Sequence, residues 1–219
     1  MEPILIVSQP RSGSSMTAGL FHHHGVWTGT CRPGDATNAK GHFESIPIRT
    51  ALIGMHKAIV HDGKLAKPVP GFRDKVLALI RADGYRDGPW LWKGSVMYWP
   101  AWYEFQPKWV CVYRPREAIF ESCRKSRMFG AKFNDAELYA NIDFHQQQMQ
   151  FLHDQHDAPW VNSDEVAHGD YSSLRAAIEY CGLPFSVEIC ERFVDRSLWH
   201  YSPSAPAGDP NTASNTAAL

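Results

Sequence analysis

The chain has 219 residues, 44% of them hydrophobic and 21% charged, which is enough for one full-sized core and normal for a globular domain. Its 22 basic and 23 acidic residues leave a net charge of −1, without the basic excess of a dedicated nucleic-acid binder but with room for a local cationic pocket. Five cysteines, an odd number with no C-x-x-C pair, argue against a disulfide framework or zinc knuckle and for reduced thiols.

Met1-Glu2-Pro3 leads straight into an apolar run and lacks the basic region and apolar length of a signal peptide. No stretch approaches the length of a membrane span, so a cytoplasmic protein is expected. Ile4-Leu5-Ile6-Val7 is short and branched, as a strand buried on both faces requires. A Gly/Ser-rich turn follows, then a helix from Met16 to His24 closed by Gly25, then a loop over 28–44. The spacing of Leu52, Met55 and Ile59 predicts a helix from Ile46 to His61, stopped by Asp62-Gly63, and a further helix is expected over Arg73–Ala82. Trp90-Leu91-Trp92 and Trp109-Val110-Cys111-Val112-Tyr113 are the next strand candidates. Pro115 suits the first turn of a helix that carries Ala118, Ile119 and Cys123 inward.

Asn134-Asp135-Ala136-Glu137 has the form of a helix-opening capping box. The long helix behind it places Leu138, Ile142, Met149 and Leu152 on one stripe, with His145 in the same register. Trp160-Val161 reads as a last strand. Ser172 opens a helix carrying Leu174, Ala177, Ile178 and Cys181 inward, stopped by Gly182 and Pro184, and Ser186 caps another to about Val194. Strands alternating with helices imply an α/β fold, a three-layer α/β/α domain with a mainly parallel central sheet. One domain is expected over residues 1–201, with 202–219 as a disordered tail rich in Ser, Pro, Ala, Gly and Asn. Ligands of such sheets bind at the carboxyl ends of the strands, where the turns after Val7 and Tyr113 both lie.

The turn after the first strand, Pro10-Arg11-Ser12-Gly13-Ser14-Ser15, is a recipe for holding an anion. Gly13 permits a sharp turn that aims several N–H groups at one point, and the helix start adds its positive dipole end. The hydroxyls of Ser12, Ser14 and Ser15 add donors, and Arg11 adds a permanent cation with a forked donor set. Read by itself the segment is a plain Gly/Ser turn or an anion site. The Walker pattern G-x-x-x-x-G-K-[ST] is not met: its first glycine is missing, and Ser14 stands where the phosphate-binding lysine belongs.

The second strand candidate of this kind ends in Tyr113-Arg114-Pro115, and Ser122 follows Arg114 by eight positions, about two helical turns on. Arg114 and Ser122 can therefore converge on one phosphate. A Pro-[Arg/Lys]-[Ser/Thr]-Gly-[Ser/Thr]-[Ser/Thr] loop after the first strand, joined to Arg-x-Pro with a serine eight positions on, resembles the nucleotide site of sulfotransferases that use 3′-phosphoadenosine 5′-phosphosulfate (PAPS). Asn38-Ala39-Lys40-Gly41-His42-Phe43-Glu44-Ser45 is similar to a stretch after the first helix in bacterial and phage-type members, with Ala39 where proline is usual. The run from Val161 through Cys181-Gly182-Leu183-Pro184-Phe185 is similar to the family's closing strand and helix. Together these cover most of residues 3–200. The acidic residue after the last strand falls among Ser163, Asp164 and Glu165, and the Arg-Lys-Gly segment of the eukaryotic cytosolic members has no counterpart.

The resemblance implies a P-loop-like fold and transfer of a sulfuryl group from PAPS to a hydroxyl or amine on a small-molecule or glycan acceptor, with no metal. It implies that Arg11, Ser12, Gly13, Ser14 and Ser15 grip the 5′ end of the nucleotide and that Arg114 and Ser122 hold the 3′-phosphate. Arg11 is then the group that neutralises the leaving phosphate. Glu44 is the first candidate for the base and His42 the second. Lys93 sits where the family often has a basic residue near donor or acceptor. No nucleic-acid or membrane partner is expected, and oligomeric state has no signature. Two other functions compete: a divergent P-loop small-molecule kinase, which would need its lysine from Lys40 or Lys93, and a non-catalytic protein that binds PAP.

Other clusters carry less. Consecutive helix positions point about 100° apart, so His22-His23-His24 cannot share one metal and read as a helix end. His153, His156 and Asp157 read as a polar helix terminus. Trp90, Trp92, Trp99, Trp102 and Trp109 are expected in the core, with some free to line an acceptor pocket.

Overall fold

The strand Ile4–Ser8 (β1) is the centre of the sheet. The computed structural model describes residues 2–36, 38–54, 60–61, 64–65, 69–126 and 133–199. In chain order β1 is followed by α1 (Ser14–His23), α2 (Ile46–Gly54), β2 (Val60–His61), β3 (Lys64–Leu65), α3 (Phe72–Ala82), β4 (Leu91–Ser95), α4 (Trp99–Trp102) and β5 (Lys108–Tyr113). Then come α5 (Arg116–Lys125), α6 (Asp135–His156), β6 (Trp160–Asn162), α7 (Ser163–Ala167), α8 (Ser172–Tyr180) and α9 (Val187–Phe193). Four strands form one sheet in the order β4-β1-β5-β6, and all three pairings are parallel.

Alternation along the strands divides the core in two. Leu5, Val7, Trp90, Trp92, Trp109 and Cys111 pack on one side with α2, α3 and α6, through Ile48, Leu52, Phe72, Ile80, Met149 and Leu152. Ile4, Ile6, Leu91, Val110, Val112 and Val161 pack on the other, against Ala18, Leu20 and Phe21 of α1 and Leu174, Ala177 and Ile178 of α8. Helices thus cover both faces, the reason β1 and β5 carry unbroken apolar runs instead of alternating with polar residues. The arrangement is α/β and compatible with the expected three layers. The tryptophans behave as core: Trp90, Trp102 and Trp109 are fully buried. Burial of each such side chain contributes on the order of 2–3 kcal/mol.

Several expected elements change at their ends. α1 begins at Ser14 instead of Met16, because Gly13, in the left-handed region at φ 81°, turns the chain directly into the helix. The helix expected over Ile46–His61 does not reach its end: α2 stops at Gly54, and Val60 and His61 pair antiparallel with Leu65 and Lys64. Met55 and Ile59 lie outside the described residues, as does the tail 202–219. β4 extends to Ser95, while Trp90 makes only an isolated bridge with Trp27. Pro115 is the N-cap of α5 and not its first helical residue. The capping box of α6 is present, with Asn134 Oδ1 accepting from the Glu137 amide and the Glu137 carboxylate accepting from the Asn134 amide.

All five cysteines are free thiols. Among the described residues no helix is long and apolar enough to cross a membrane. Among them, too, no three His, Cys, Asp or Glu side chains are grouped to hold a metal ion.

Candidate active site

The carboxyl ends of the parallel strands bring distant parts of the chain to one edge of the sheet. The loop after β1 carries two residues in the left-handed region, Arg11 at φ 70° and Gly13 at φ 81°. Glycine adopts this conformation without cost, but for arginine it is strained by about 1–2 kcal/mol. No acidic side chain occupies the first turn of α1, and Gly13 provides no side-chain cap, so the positive end of the helix faces the loop. The Ser12 hydroxyl is fully buried and has no hydrogen-bond partner among the described residues.

Arg11, Arg114 and Ser122 come together. Arg11 Nε donates to Ser122 Oγ at 3.0 Å, and Arg114 Nη1 donates to the Arg11 carbonyl oxygen at 3.3 Å. The first link joins the loop after β1 to α5, and the second joins it to the end of β5. Arg11 is exposed, whereas Arg114 is 6% exposed and held firmly. Its Nε and Nη2 both lie 3.2 Å from Asp164 Oδ1, and its guanidinium carbon stacks 4.2 Å from the centre of the Trp199 ring. Trp199 Nε1 donates to the same Asp164 oxygen at 2.7 Å. The other oxygen, Oδ2, is buried with no hydrogen-bond partner among the described residues. Ser163 Oγ donates to the Tyr113 carbonyl at 3.1 Å and lies under Gly13, so that a Cβ on Gly13 would stand 2.6 Å from Ser163 Cβ and 2.8 Å from Trp199 Cη2.

A second group forms on the other side of α1. Lys93, in β4, is 5% exposed, and its Nζ donates to Ser15 Oγ at 3.1 Å and to Glu44 Oε1 at 3.0 Å. Lys93 shares its face of the sheet with Leu91, which is why it reaches α1 and the loop. Arg49 Nε, on α2, is 3.5 Å from the other Glu44 oxygen. Burial pushes the Glu44 carboxyl up, but the Lys93 ammonium and its hydrogen bond, with Arg49 behind them, outweigh burial and hold it below the ordinary value. Burial pushes Lys93 down, and Glu44 restores it only in part. Glu44 is therefore an ionised carboxylate at neutral pH, clamped between two cations.

The remaining expected residues are placed differently. His42 Nε2 lies 2.8 Å from Asp35 Oδ2, a partner on its own loop, while Glu44 holds the contact with Lys93. Lys40, the other candidate phosphate lysine, donates to the Phe193 carbonyl and lies over the Phe193 ring, away from the loop at Ser12–Ser15. Ser14 is nearly buried at the start of α1.

Trp199 and Arg49 join the site without a local sequence signal, and Ser163 and Asp164 join it from the positions noted after the last strand. Asp164 was one of three acidic or polar positions after β6, and only the pairing with Arg114, 50 residues away, singles it out. Trp199 is a large aromatic residue outside any amphipathic pattern, and that isolation is the one clue it carried. No protein-family model, no curated protein and no solved structure matches the chain.

Proposed function

We propose that the chain is a sulfotransferase, moving a sulfuryl group from PAPS to an acceptor hydroxyl or amine in a P-loop-like site. The observation that carries this reading is the convergence of Arg11, Arg114 and Ser122, from three separate elements, beside the glycine loop at the start of α1. A nucleotide with phosphate groups at both ends needs two anion positions, and the loop with Arg11 and the pair Arg114 and Ser122 supply them next to one another. The missing Walker lysine turns the reading away from an ordinary ATPase.

The chemistry follows from the second group. In sulfuryl transfer the acceptor oxygen or nitrogen attacks sulfur in line with the bond to the 5′-phosphate, which leaves with the electron pair. Lys93 bonds to Ser15 of the loop and to Glu44 together, which supports a role for it between the donor and the acceptor. It is positioned to stabilise charge on the leaving phosphate with Arg11, and Glu44 to accept the proton of the acceptor. Arg114 must share its guanidinium between Asp164 and an incoming phosphate, so nucleotide binding and the packing of Trp199 are linked.

Calorimetry and thermal melting with PAP test this. PAP is expected to raise Tm, ATP with magnesium is not, and Arg114→Ala removes the shift. A PAP shift that persists unchanged in that variant refutes the assignment of Arg114. One observation keeps a second reading alive: Lys93 reaches Ser15 from the neighbouring strand and stands in for the lysine that a divergent P-loop kinase requires. Magnesium-dependent ATP turnover with no response to PAP would establish the kinase instead.

A further inference from the structure

Beside the Lys93–Glu44 pair, between α2 and the end of β4, lies a cleft of about 170 Å³. Leu52, Ile53, Trp92 and Tyr98 form its apolar wall, and Glu44, Lys93 and Arg49 its polar end. An apolar cavity of about 150 Å³ admits benzene, so this cleft has room for one six-membered ring.

The ring-shaped wall is a consequence of Gly94. Trp92 and Gly94 point to the same side of β4, and a Cβ on Gly94 would stand 2.2 Å and 2.3 Å from Cζ2 and Cη2 of the Trp92 indole. The indole therefore lies forward along its own strand over Gly94, braced by Trp102 at 4.8 Å between ring centres, with Tyr98 set edge-on to it at 85°. Ser95 is committed elsewhere: its Oγ accepts from the Met97 amide at 3.3 Å and meets His145 Nε2 at 3.3 Å.

The polar end is unbalanced. Lys93 and Arg49 face a single carboxylate, Glu44, and no other acidic side chain lines the cleft among the described residues. Among the described residues Lys93 uses two of its three N–H donors, on Ser15 and Glu44, and the half-exposed Arg49 guanidinium has the 3.5 Å contact with Glu44 as its ion pair. Such a site attracts an anion and repels an ammonium group.

We propose that this cleft is the acceptor site and that its ligand is a single-ring hydroxy acid, with the ring on Trp92 and Tyr98, the acid group on Arg49 and the hydroxyl against Glu44. The assignment rests on the sulfotransferase reading for its chemistry. The hydroxyl oxygen forms the new bond to sulfur, the sulfur–oxygen bond to the 5′-phosphate of PAPS breaks, PAP leaves with the electron pair, and the hydroxyl proton passes to Glu44. The ligand preference, in contrast, is a property of the cleft and can be read without turnover.

The test compares three probes with the same ring and two-carbon side chain: para-hydroxyphenylacetate, its alcohol analogue para-hydroxyphenylethanol, and its amine analogue tyramine. Binding to the full chain is measured by calorimetry with and without PAP. The acid is expected to bind about tenfold more tightly than the alcohol, and tyramine most weakly, as a charge-assisted contact with Arg49 requires. Arg49→Gln, a change at an exposed position, should bring acid and alcohol within about threefold of each other. Gly94→Ala should weaken all three probes together by displacing the Trp92 ring. Equal binding of acid and alcohol to the wild type, or an acid preference that survives in Arg49→Gln, overturns the proposal. PAP melting shifts on the same samples separate the two readings. A lost PAP response with the acid preference intact refutes sulfuryl transfer and supports the cleft as a hydroxy-acid site.

Discussion

Replacing Gly13 with alanine puts the loop geometry to a quantitative test. Gly13 sits at φ 81°, where an L-residue is strained by about 1–2 kcal/mol. The added methyl would also stand 2.6 Å from Ser163 Cβ, 2.8 Å from Ser163 Oγ and 2.8 Å from Trp199 Cη2, closer than real Cβ atoms come. Forcing one methyl into a packed site adds about 1–3 kcal/mol, so Gly13→Ala is expected to cost near 3 kcal/mol in all. For a chain of this size that lowers Tm by about 6–12 °C. Urea unfolding of Gly13→Ala, Ser163→Gly and the double variant would separate the two parts. The steric part is shared with Ser163 and should appear as a coupling of about 1 kcal/mol or more, whereas the dihedral part should persist in the double variant. A Gly13→Ala protein within about 0.5 kcal/mol of wild type would refute the described loop, and the site built on it.

Arg11→Gly is expected to be more stable than Arg11→Ala by about 0.5–1 kcal/mol, because only glycine relaxes at φ 70°, although both lose the bond to Ser122; paired urea melts decide it. Asp164→Asn strips the buried Arg114 of its carboxylate and should cost about 3 kcal/mol, measured by urea unfolding, while Trp199→Phe, which loses one N–H bond, should cost about 1 kcal/mol. A fall below about 1 kcal/mol in Asp164→Asn would refute the lock on Arg114. Glu44 has its folded pKa depressed by Lys93, so its pairing contributes stability above the ordinary value of 4.5 and loses it as pH falls through the folded value. The Tm gap between wild type and Glu44→Gln should therefore be widest at neutral pH and close in acid. Native alkylation near neutral pH should label Cys31 first, the one partly exposed thiol; burial pushes Cys181 up to about 12 and Cys190 up to about 11, and raises Cys111 further.

What the sequence made legible was periodic or local. The buried run of β1, the periodic stripe on α6 and the capping box at Asn134 are each contained within a single element, and each stands as expected. Local signals misled where one dipeptide serves two purposes. In a sequence Asp-Gly can stop a helix or join two strands, and here Val60 and His61 pair as strands with Leu65 and Lys64 instead of continuing α2. The extension of β4 beyond Trp92 to Ser95 was hidden for a different reason. Lys93 and Gly94 lower strand propensity, and their place in the strand makes sense only through Glu44 and the Trp92 indole, partners that no local pattern names. The same holds for the candidate site. Arg11, Gly13, Arg114 and Ser122 stood out by spacing, whereas Asp164 and Trp199 belong to it through contacts across 50 and 35 residues. The cleft is equally non-local: it joins Glu44 of the loop after α1, the end of β4 with Tyr98 behind it, and the side of α2, three segments that share no sequence pattern.

The central position of β1 governs how the chain emerges from the ribosome. Ile4 pairs with Leu91 on one side and Lys108 on the other, so the most apolar strand is made first and has no sheet partner until those segments are synthesised. At about 5–20 residues per second, Ile4–Val7 waits on the order of ten seconds as an unpaired apolar edge. That interval is the nascent chain's window for chaperone capture or aggregation. A charge introduced at Leu5 or Ile6 would shorten the hazard but leave the finished sheet with an unpaired ion at its centre.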